Sequence, residues 1–214
     1  MSNQTSNQTS THPQPTPGFL RARQNPLAVN RTTKVPFRFP DHDWEHHLER
    51  LKQLRFRASI VGLQGSGKST LLSNLHDQLQ QRSIDSHFVF LPHSKEQHRS
   101  MLEVAYQRSA EGCVLLLDGI ERLNWLQRRQ LYKRTRNAAG LVITRHQQGK
   151  LPVWIGTQTS PELMQQILDE LELSQPEIIS AAQIAFAKNN GNIRNALREL
   201  YDQFAAGGFN KILS

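Results

Sequence analysis

Residues 62 to 70 form the stretch of this 214-residue chain whose residue types and spacing most clearly predict chemistry. The stretch satisfies the pattern Gly-x-x-x-x-Gly-Lys-[Ser/Thr], in which glycines let the backbone turn tightly enough for its N–H groups to surround a polyphosphate. Lys68 would place its ammonium against the β- and γ-phosphates, and Ser69 would place a hydroxyl on Mg²⁺. The residues predicted to contact the nucleotide are Gly62, Leu63, Gln64, Gly65, Ser66, Gly67, Lys68, Ser69 and Thr70.

A second candidate group follows a continuous apolar run, Cys-Val-Leu-Leu-Leu at residues 113 to 117. Asp118 comes directly after this run, and open parallel sheets bind ligands at the carboxyl ends of their strands. Asp118 is therefore predicted to hold Mg²⁺ opposite Ser69, the alternative being a turn-forming Asp-Gly pair. Glu121 is the candidate to orient or deprotonate an attacking water, and the alternative for it is an ordinary surface residue.

The elements that must position these groups alternate along the chain. Apolar runs predict five strands, and helical spacing predicts a helix between each of the first four strands and three more helices after the fifth. This alternation is typical of a parallel sheet with crossover helices. The predicted strands cover residues 58–62, 87–91, 113–117, 141–144 and 153–157, and the predicted helices after the phosphate-binding stretch begin near residues 68, 95, 124, 160, 174 and 192.

Composition and charge set limits on the whole chain. The length allows one α/β core with a small appendage, and no apolar run is long enough to cross a bilayer, so we expect a cytoplasmic protein without membrane contact. Five of the 26 basic residues and none of the acidic ones lie in residues 1–40, within a net charge of +8. We expect a disordered basic tail over residues 1–34 and a flexible end over residues 207–214. Such a tail gives weak support to nucleic-acid binding.

The order of phosphate-binding stretch, Asp-ended strand, polar-ended fourth strand and helical tail resembles the AAA+ ATPases, over roughly residues 35–204. The resemblance implies a P-loop NTPase fold: a three-layer α/β sandwich with a mostly parallel five-stranded sheet in the order 5-1-4-3-2. It divides the chain into a nucleotide-binding core at residues 35–158 and a small helical lid at residues 159–206. Small bacterial proteins of this general design are known to us as uncharacterised P-loop ATPases, so the resemblance names no process.

Two further site residues follow from that resemblance. Thr144, at the end of Leu-Val-Ile-Thr, is similar in position to a residue that reads the γ-phosphate and the attacking water. Arg194, in Gly-Asn-Ile-Arg, is similar to a lid arginine that reaches the β- and γ-phosphates, with Arg198 as its alternative. Gly119 stands where the family usually has a catalytic glutamate. No arginine finger from a neighbouring subunit can be assigned, which puts ring formation in doubt.

The resemblance implies an ATPase that uses ATP and Mg²⁺ to drive a conformational switch on a protein or nucleic-acid partner, with nucleotide-dependent self-association possible. Two alternatives stay open. A small-molecule kinase would need mobile basic residues over the phosphates, for which Lys95, Arg99 and Arg108 are available. A nucleotide-gated binding module would bind ATP without hydrolysing it.

Several weaker signals have an ordinary structural interpretation beside a functional one. The histidines at positions 42, 46 and 47 could bind metal, but a solvated helix face suits them better. The strip that contains Phe37, Phe39 and Pro40 could stack on the nucleotide base, although packing under the first helix is the favoured interpretation. Trp125 and Trp154 are both predicted to pack between elements, and Cys113 is predicted to be a buried core residue.

Overall fold

The computed structural model describes residues 24–209, which form eight α-helices and five strands. The strands are β1 (Arg57–Gly62), β2 (Ser86–Phe90), β3 (Val114–Asp118), β4 (Gly140–Arg145) and β5 (Val153–Thr157). The helices are α1 (Val29–Thr32), α2 (Trp44–Gln53), α3 (Lys68–Gln81), α4 (His98–Ala110), α5 (Trp125–Arg134), α6 (Pro161–Glu170), α7 (Pro176–Lys188) and α8 (Ile193–Ala205). A 3₁₀ turn, Ile120–Arg122, follows β3. No helix within residues 24–209 is long and apolar enough to cross a membrane.

The five strands form one sheet in which every neighbouring pair is parallel. Their order is β5-β1-β4-β3-β2, which is the order predicted from the sequence. β3 is buried along its whole length because its side chains alternate between two apolar layers. Val114 and Leu116 belong to the layer that includes α2 and α3. Leu115 and Leu117 belong to the layer that includes α4 and α5, so helices cover both faces of the sheet.

The carboxyl ends of the parallel strands lie at one edge of the sheet. Gly62, Asp118 and Thr157 end β1, β3 and β5, and Thr144 is the last residue but one of β4. β1 lies between β4 and β5, so the loop that follows β1 has a neighbouring strand end on each side. This topology brings the polar residues of three distant sequence segments to the phosphate-binding stretch.

Helices α6 to α8 form their own apolar core beside the sheet. In α8, Ile193, Ala196, Leu200 and Phe204 recur at helical spacing and are buried, while the rest of the helix faces outward or into a cleft. Side chains cap two of the predicted helix starts: Ser160 accepts the Leu163 N–H before α6, and Asn192 accepts the Asn195 N–H before α8. The predicted helical region over residues 159–206 thus contains three capped or proline-started helices with a shared core.

The described part of each predicted tail packs on the helical region. Within residues 24–34, Leu27 is buried in the core of the helical region, and Asn25 donates a hydrogen bond to the Tyr201 carbonyl at 2.9 Å. This part of the expected disordered tail is packed because one apolar side chain enters the helical core and Asn25 satisfies nearby backbone groups. At the other end, Phe209 packs on Phe204 with ring centroids 4.6 Å apart. The rest of both predicted tails, residues 1–23 and 210–214, lies outside the described residues.

Candidate functional site

The loop between β1 and α3 has the backbone conformation that its glycines predict. Gly65 and Gly67 have φ angles of 79° and 85°, in the left-handed region where glycine carries no steric penalty. At Gly62 a Cβ atom would overlap the Thr157 hydroxyl and would lie 2.7 Å from Ser66 Oγ, so only glycine fits. Gly67 immediately precedes α3, whose first backbone N–H groups have no partner within the helix. The loop therefore leads directly into an N-terminus that favours an anion.

Lys68 lies almost buried behind this loop, with 8% of its surface exposed. Its Nζ donates hydrogen bonds to the carbonyl oxygens of Gly62 at 2.7 Å and Leu63 at 2.6 Å. Burial lowers the pKa of Lys68, the charges of Glu121 and Asp118 oppose that shift, and the charge of Arg194 adds to it. Asp118, Glu121 and Arg194 come from separate segments of the sequence, and the charge of each acts on Lys68.

Asp118 and Thr144 form a buried pair at the carboxyl edge of the sheet. Thr144 Oγ1 donates to Asp118 Oδ1 at 2.5 Å and accepts the Gly119 N–H at 3.0 Å. Both residues are at most 5% exposed. Because the one hydroxyl hydrogen of Thr144 is used by Asp118, Thr144 positions the carboxylate in this structure. This differs from the expectation that Thr144 itself faces the γ-phosphate.

Glu121 lies in the 3₁₀ turn after β3, at the same edge. Its Oε1 accepts the backbone N–H of His146, which follows β4, at 2.6 Å. Arg128 of α5 holds the turn in place, since its Nε donates to the Ile120 carbonyl at 3.2 Å and its Nη2 donates to the Glu121 carbonyl at 3.0 Å. Among the residues that the structure describes, no group donates to Glu121 Oε2. One carboxylate oxygen is therefore held in place and the other is available to a water molecule.

The donor chemistry at this edge fits Mg²⁺. Ser69 Oγ and Asp118 Oδ2 make no hydrogen bond to any residue of the 24–209 range, and Mg²⁺ prefers a few protein oxygens completed by phosphate and water. In the same range no group of three or more His, Cys, Asp or Glu residues could hold a metal ion. A cation at Ser69 and Asp118 would thus depend on phosphate oxygens for its remaining ligands. No described cluster of histidines, the one at the start of α2 included, forms a metal site.

A cleft of about 680 Å³ lies between the loop and the helical region, a volume typical of small-molecule sites. The loop contributes Gly65, Gly67 and Thr70 to its lining. Residues 27–38 form a second wall that is mainly apolar. Helices α6 and α8 form a third wall that carries apolar side chains together with Glu170, Arg194, Arg198 and Asp202. The apolar lining residues are Leu27, Val29, Val35, Pro36, Phe37, Leu163, Ile167, Ile193 and Leu197, with Tyr201 beside them.

Phe37 and Phe39 have different positions relative to this cleft. Phe37 lines the cleft, and its ring would lie 3.4 Å from a Cβ atom built on Gly67. Its backbone N–H donates to Asn74 Oδ1 at 2.7 Å. Phe39 instead stacks on His47 with ring centroids 3.8 Å apart. The predicted packing interpretation holds for Phe39, whereas Phe37 is packed and also faces the cleft.

The helical region brings two arginines to the cleft. Arg194 and Arg198 both line it, are exposed, and make no side-chain ion pair or hydrogen bond with the described part of the chain. Of the two, Arg194 is the residue whose charge acts on Lys68.

Two residues of the site were missed by sequence analysis. Thr157 ends β5, and its hydroxyl lies 2.6 Å from Ser66 Oγ, which bridges back to the Leu63 carbonyl at 2.8 Å. Asn192 caps α8, and its side-chain amide lies so close to Gly65 that a Cβ there would overlap it. The position of Thr157 at the end of a strand beside β1 is a signal that could have been used. Nothing in the local sequence of Asn192 indicates more than a helix cap.

Comparison with known proteins assigns no family to this chain. No protein-family model matches the sequence, and the search of curated proteins gives no significant match. The functional assignment that follows therefore depends on the geometry of the site.

Proposed function

We propose that this protein binds ATP with Mg²⁺ at residues 62–70 and hydrolyses the nucleotide, as a P-loop ATPase of the AAA+ type. The observation that carries the proposal is the position of Lys68. Its ammonium is bonded to the carbonyls of Gly62 and Leu63, and the charges of Asp118 and Glu121 act on it. Gly65, Ser66 and Gly67 of the same loop line the cleft. A buried ammonium beside two carboxylates and a helix N-terminus suits a ligand that carries both phosphate and a divalent cation.

In the proposed complex the triphosphate lies along the loop, and the base and sugar occupy the cleft. Lys68 would exchange its bonds to the Gly62 and Leu63 carbonyls for bonds to the β- and γ-phosphates. Ser69 and Asp118 would hold Mg²⁺, which neutralises phosphate charge when bound. Thr144 keeps Asp118 Oδ1 occupied, so that Oδ2 is the oxygen directed to the cation or its waters.

For hydrolysis, we assign proton acceptance to Glu121. A water oxygen attacks the γ-phosphorus, the bond to the β–γ bridging oxygen breaks, and Glu121 Oε2 accepts the proton that the water loses. The products are ADP and inorganic phosphate. The hydrogen bond from the His146 N–H fixes the other oxygen of the same carboxylate. Arg194 would bind the γ-phosphate from the helical side. Release of the cleaved phosphate would then free α8 and let the helical region move.

Binding is tested by isothermal titration of Mg²⁺-ATP, with GTP as the competing nucleotide, into the full chain and into Lys68→Ala. We expect the variant to bind at least about 100-fold more weakly, because charge-assisted bonds to two phosphates are lost. Lys52→Ala is the matched control, because Lys52 lies on α2 before the amino end of β1 and pairs with the exposed Glu49. Equal affinity of Lys68→Ala and the control would contradict the proposal.

Hydrolysis is tested separately by measuring phosphate release in the absence of any acceptor. We expect Glu121→Gln to bind Mg²⁺-ATP as tightly as the unmodified chain and to lose at least about 100-fold in turnover. Unchanged turnover would remove Glu121 from the mechanism. Absence of turnover in the unmodified chain, with binding retained, would leave the nucleotide-gated binding module as the function.

The kinase alternative has less support from the geometry. Arg108 is bonded to Asp85 at 3.0 Å and to Glu111 at 2.6 Å, at the carboxyl end of α4. Asp85 precedes β2, so this group lies at the amino-terminal edge of the sheet, opposite the phosphate-binding loop. Arg108 therefore cannot act over the phosphates without breaking both ion pairs and crossing the sheet.

A further inference from the structure

The sequence between Glu121 and Glu162 has a one-sided charge. Its forty residues contain no aspartate or glutamate and eight lysines or arginines. They include α5, β4 and the segment that leads to β5. The eight basic residues are Arg122, Arg128, Arg129, Lys133, Arg134, Arg136, Arg145 and Lys150.

Some of these cations have partners within the fold and others do not. Arg128 is bonded to the turn that carries Glu121, and Arg134 makes two hydrogen bonds to Glu103 at 2.7 and 2.9 Å. Arg129, Lys133 and Arg136 are exposed and make no side-chain ion pair or hydrogen bond to any residue from 24 to 209. Arg122, Arg145 and Lys150 also lack an ion pair, but Arg122 lies over the Phe90 ring and Lys150 over the Tyr132 ring. Three exposed cations without a described partner therefore lie on α5 and the turn after it.

An exposed aromatic residue begins the same helix. Trp125 is 67% exposed and Leu126 is 58% exposed, although the sequence predicted that Trp125 would be packed. The capping box of Asn124 and Gln127 makes Trp125 the first residue of α5, and Leu131 is the residue of α5 that is buried in the core. Trp125 is left at the outer end of the helix.

Trp125, Arg129 and Lys133 follow one another at four-residue spacing. Residues at this spacing share one face of a helix, and each is about 6 Å from the next along the axis. The face thus carries a large aromatic surface at one end and unpaired cations along its length. That combination is typical of surfaces that bind nucleic acid by base stacking and by phosphate contacts.

We propose that the surface formed by Trp125, Arg129 and Lys133 of α5 and by Arg136 of the turn after it binds single-stranded nucleic acid. Trp125 stacks on a base, and the three cations contact successive phosphates. A lipid surface is a poorer fit, because membrane-surface helices bury a broad apolar face and α5 exposes two large apolar residues at one end. A duplex is a poorer fit for Trp125, since its bases are already stacked. The proposal does not depend on ATP binding or hydrolysis.

The test is fluorescence anisotropy of a labelled 20-nucleotide single strand, DNA or RNA, with the full chain and without ATP. We expect Arg129→Ala/Lys133→Ala to weaken binding and to reduce the slope of log K against log salt by about 1.4, because two phosphate contacts are lost. Arg50→Ala/Lys52→Ala is the charge-matched control, since α2 packs on the opposite face of the sheet. Equal affinities and slopes for the two double variants would overturn the proposal.

Trp125 is tested by its own substitutions. We expect Trp125→Ala to weaken binding about tenfold and Trp125→Phe to retain most of the affinity, because the phenyl ring still stacks. We also expect the strand to quench the emission of Trp125, a signal that Trp125→Phe lacks. If Trp125→Ala binds the strand as tightly as the unmodified chain, the assignment to single strands is wrong. It is also wrong if a duplex, polyglutamate or anionic lipid vesicles bind with the same affinity as the strand and lose that affinity equally in Arg129→Ala/Lys133→Ala.

Discussion

The sheet side and the helical side of the candidate site differ in how far their polar groups are already positioned. On the sheet side, Lys68, Asp118 and Thr144 are buried and hydrogen-bonded to other parts of the site. On the helical side, Arg194 and Arg198 are exposed and have no described side-chain partner. The sheet side is thus preorganised, whereas the arginines of the helical side have no counter-charge within the described part of the chain. In the proposed mechanism, the sheet side binds the phosphates and the arginines link the γ-phosphate to the helices.

Thr144→Val should have the largest effect on the free energy of unfolding, because it removes a buried hydrogen bond from the sheet side of the site. Valine keeps the shape of the side chain but leaves the buried Asp118 carboxylate and the Gly119 N–H without a partner. We expect a loss of about 2–3 kcal/mol in the free energy of unfolding, measured by urea denaturation, together with weaker Mg²⁺-dependent binding of ATP. Thr144→Ser, which restores the hydroxyl, is the control. A Thr144→Val protein as stable as Thr144→Ser would show that the pair contributes little.

Gly65→Ala probes the contact between the two sides. Alanine there must adopt a φ of 79° and would also overlap the Asn192 amide. Gly112→Ala is the matched control, because Gly112 has a φ of 90° and open space around it. We expect Gly65→Ala to cost about 1–2 kcal/mol more than Gly112→Ala, and we expect most of that excess to vanish when both substitutions are made in Asn192→Ala, which has already lost the α8 cap. If thermal unfolding shows the same excess in the Asn192→Ala background, the loop and the cap of α8 do not touch in solution.

Arg194→Ala sharpens the comparison on the helical side. Losing one charge-assisted contact to the γ-phosphate should weaken ATP binding about tenfold and change ADP binding much less. The free energy of unfolding should stay within about 0.5 kcal/mol of the original, since Arg194 is exposed and unpaired. Titration of both nucleotides into Arg194→Ala and Arg198→Ala decides between the arginines. A selective loss in Arg198→Ala alone would reassign the role.

The smallest expected effect concerns pH and the sheet side. His47 is buried behind Phe39, both of its ring nitrogens lack a hydrogen bond, and Asp41 Oδ1 is 3.4 Å from Nε2. Burial lowers the pKa of His47 below the ordinary value of 6.5, and the charge of Asp41 partly opposes this, while His42 and His46 add to the lowering. The unfolded chain then gains its proton at a higher pH than the folded one. Stability should therefore fall as the pH drops below about 6.5 and be constant above it.

This pH dependence is measured as the melting temperature between pH 8 and pH 5.5. We expect His47→Phe to show a smaller fall than the unmodified chain, because phenylalanine can still stack on Phe39 and does not titrate. Equal falls in the two proteins would mean that other groups cause the acid sensitivity.

The sequence predicts the sheet well because strand signals are local. Apolar runs ended by Gly, Asp or Thr mark β1, β3 and β5 to within a residue. Helix starts that depend on side-chain contacts are less predictable. The helix α4 begins at His98 rather than at residue 95, and the buried ring of His98 lies 2.8 Å from the Pro92 carbonyl. Trp125 shows the same limit, since its exposure depends on which face of α5 meets the sheet.

The candidate site likewise contains residues that the local sequence predicts and residues that it does not. Lys68 and Asp118 were predictable because a contiguous motif or the end of one strand identifies them. The pairing of Thr144 with Asp118 depends on β3 and β4 being neighbours, and the contact of Ser66 with Thr157 joins residues 91 positions apart. Asn192 and Asn25 act through contacts with even more distant segments. Periodicity and motif spacing carry no information about such pairs.

The hydrogen bond between Asn25 and Tyr201 links residues that are 176 positions apart. A ribosome makes one wall of the cleft early and the opposite wall much later, and closing so long a loop carries an entropic cost that only a formed helical core repays. A nascent chain stalled before α8 can therefore present the glycine loop and the sheet but lacks the complete cleft. Tight retention of nucleotide during translation would begin only after α8 has emerged.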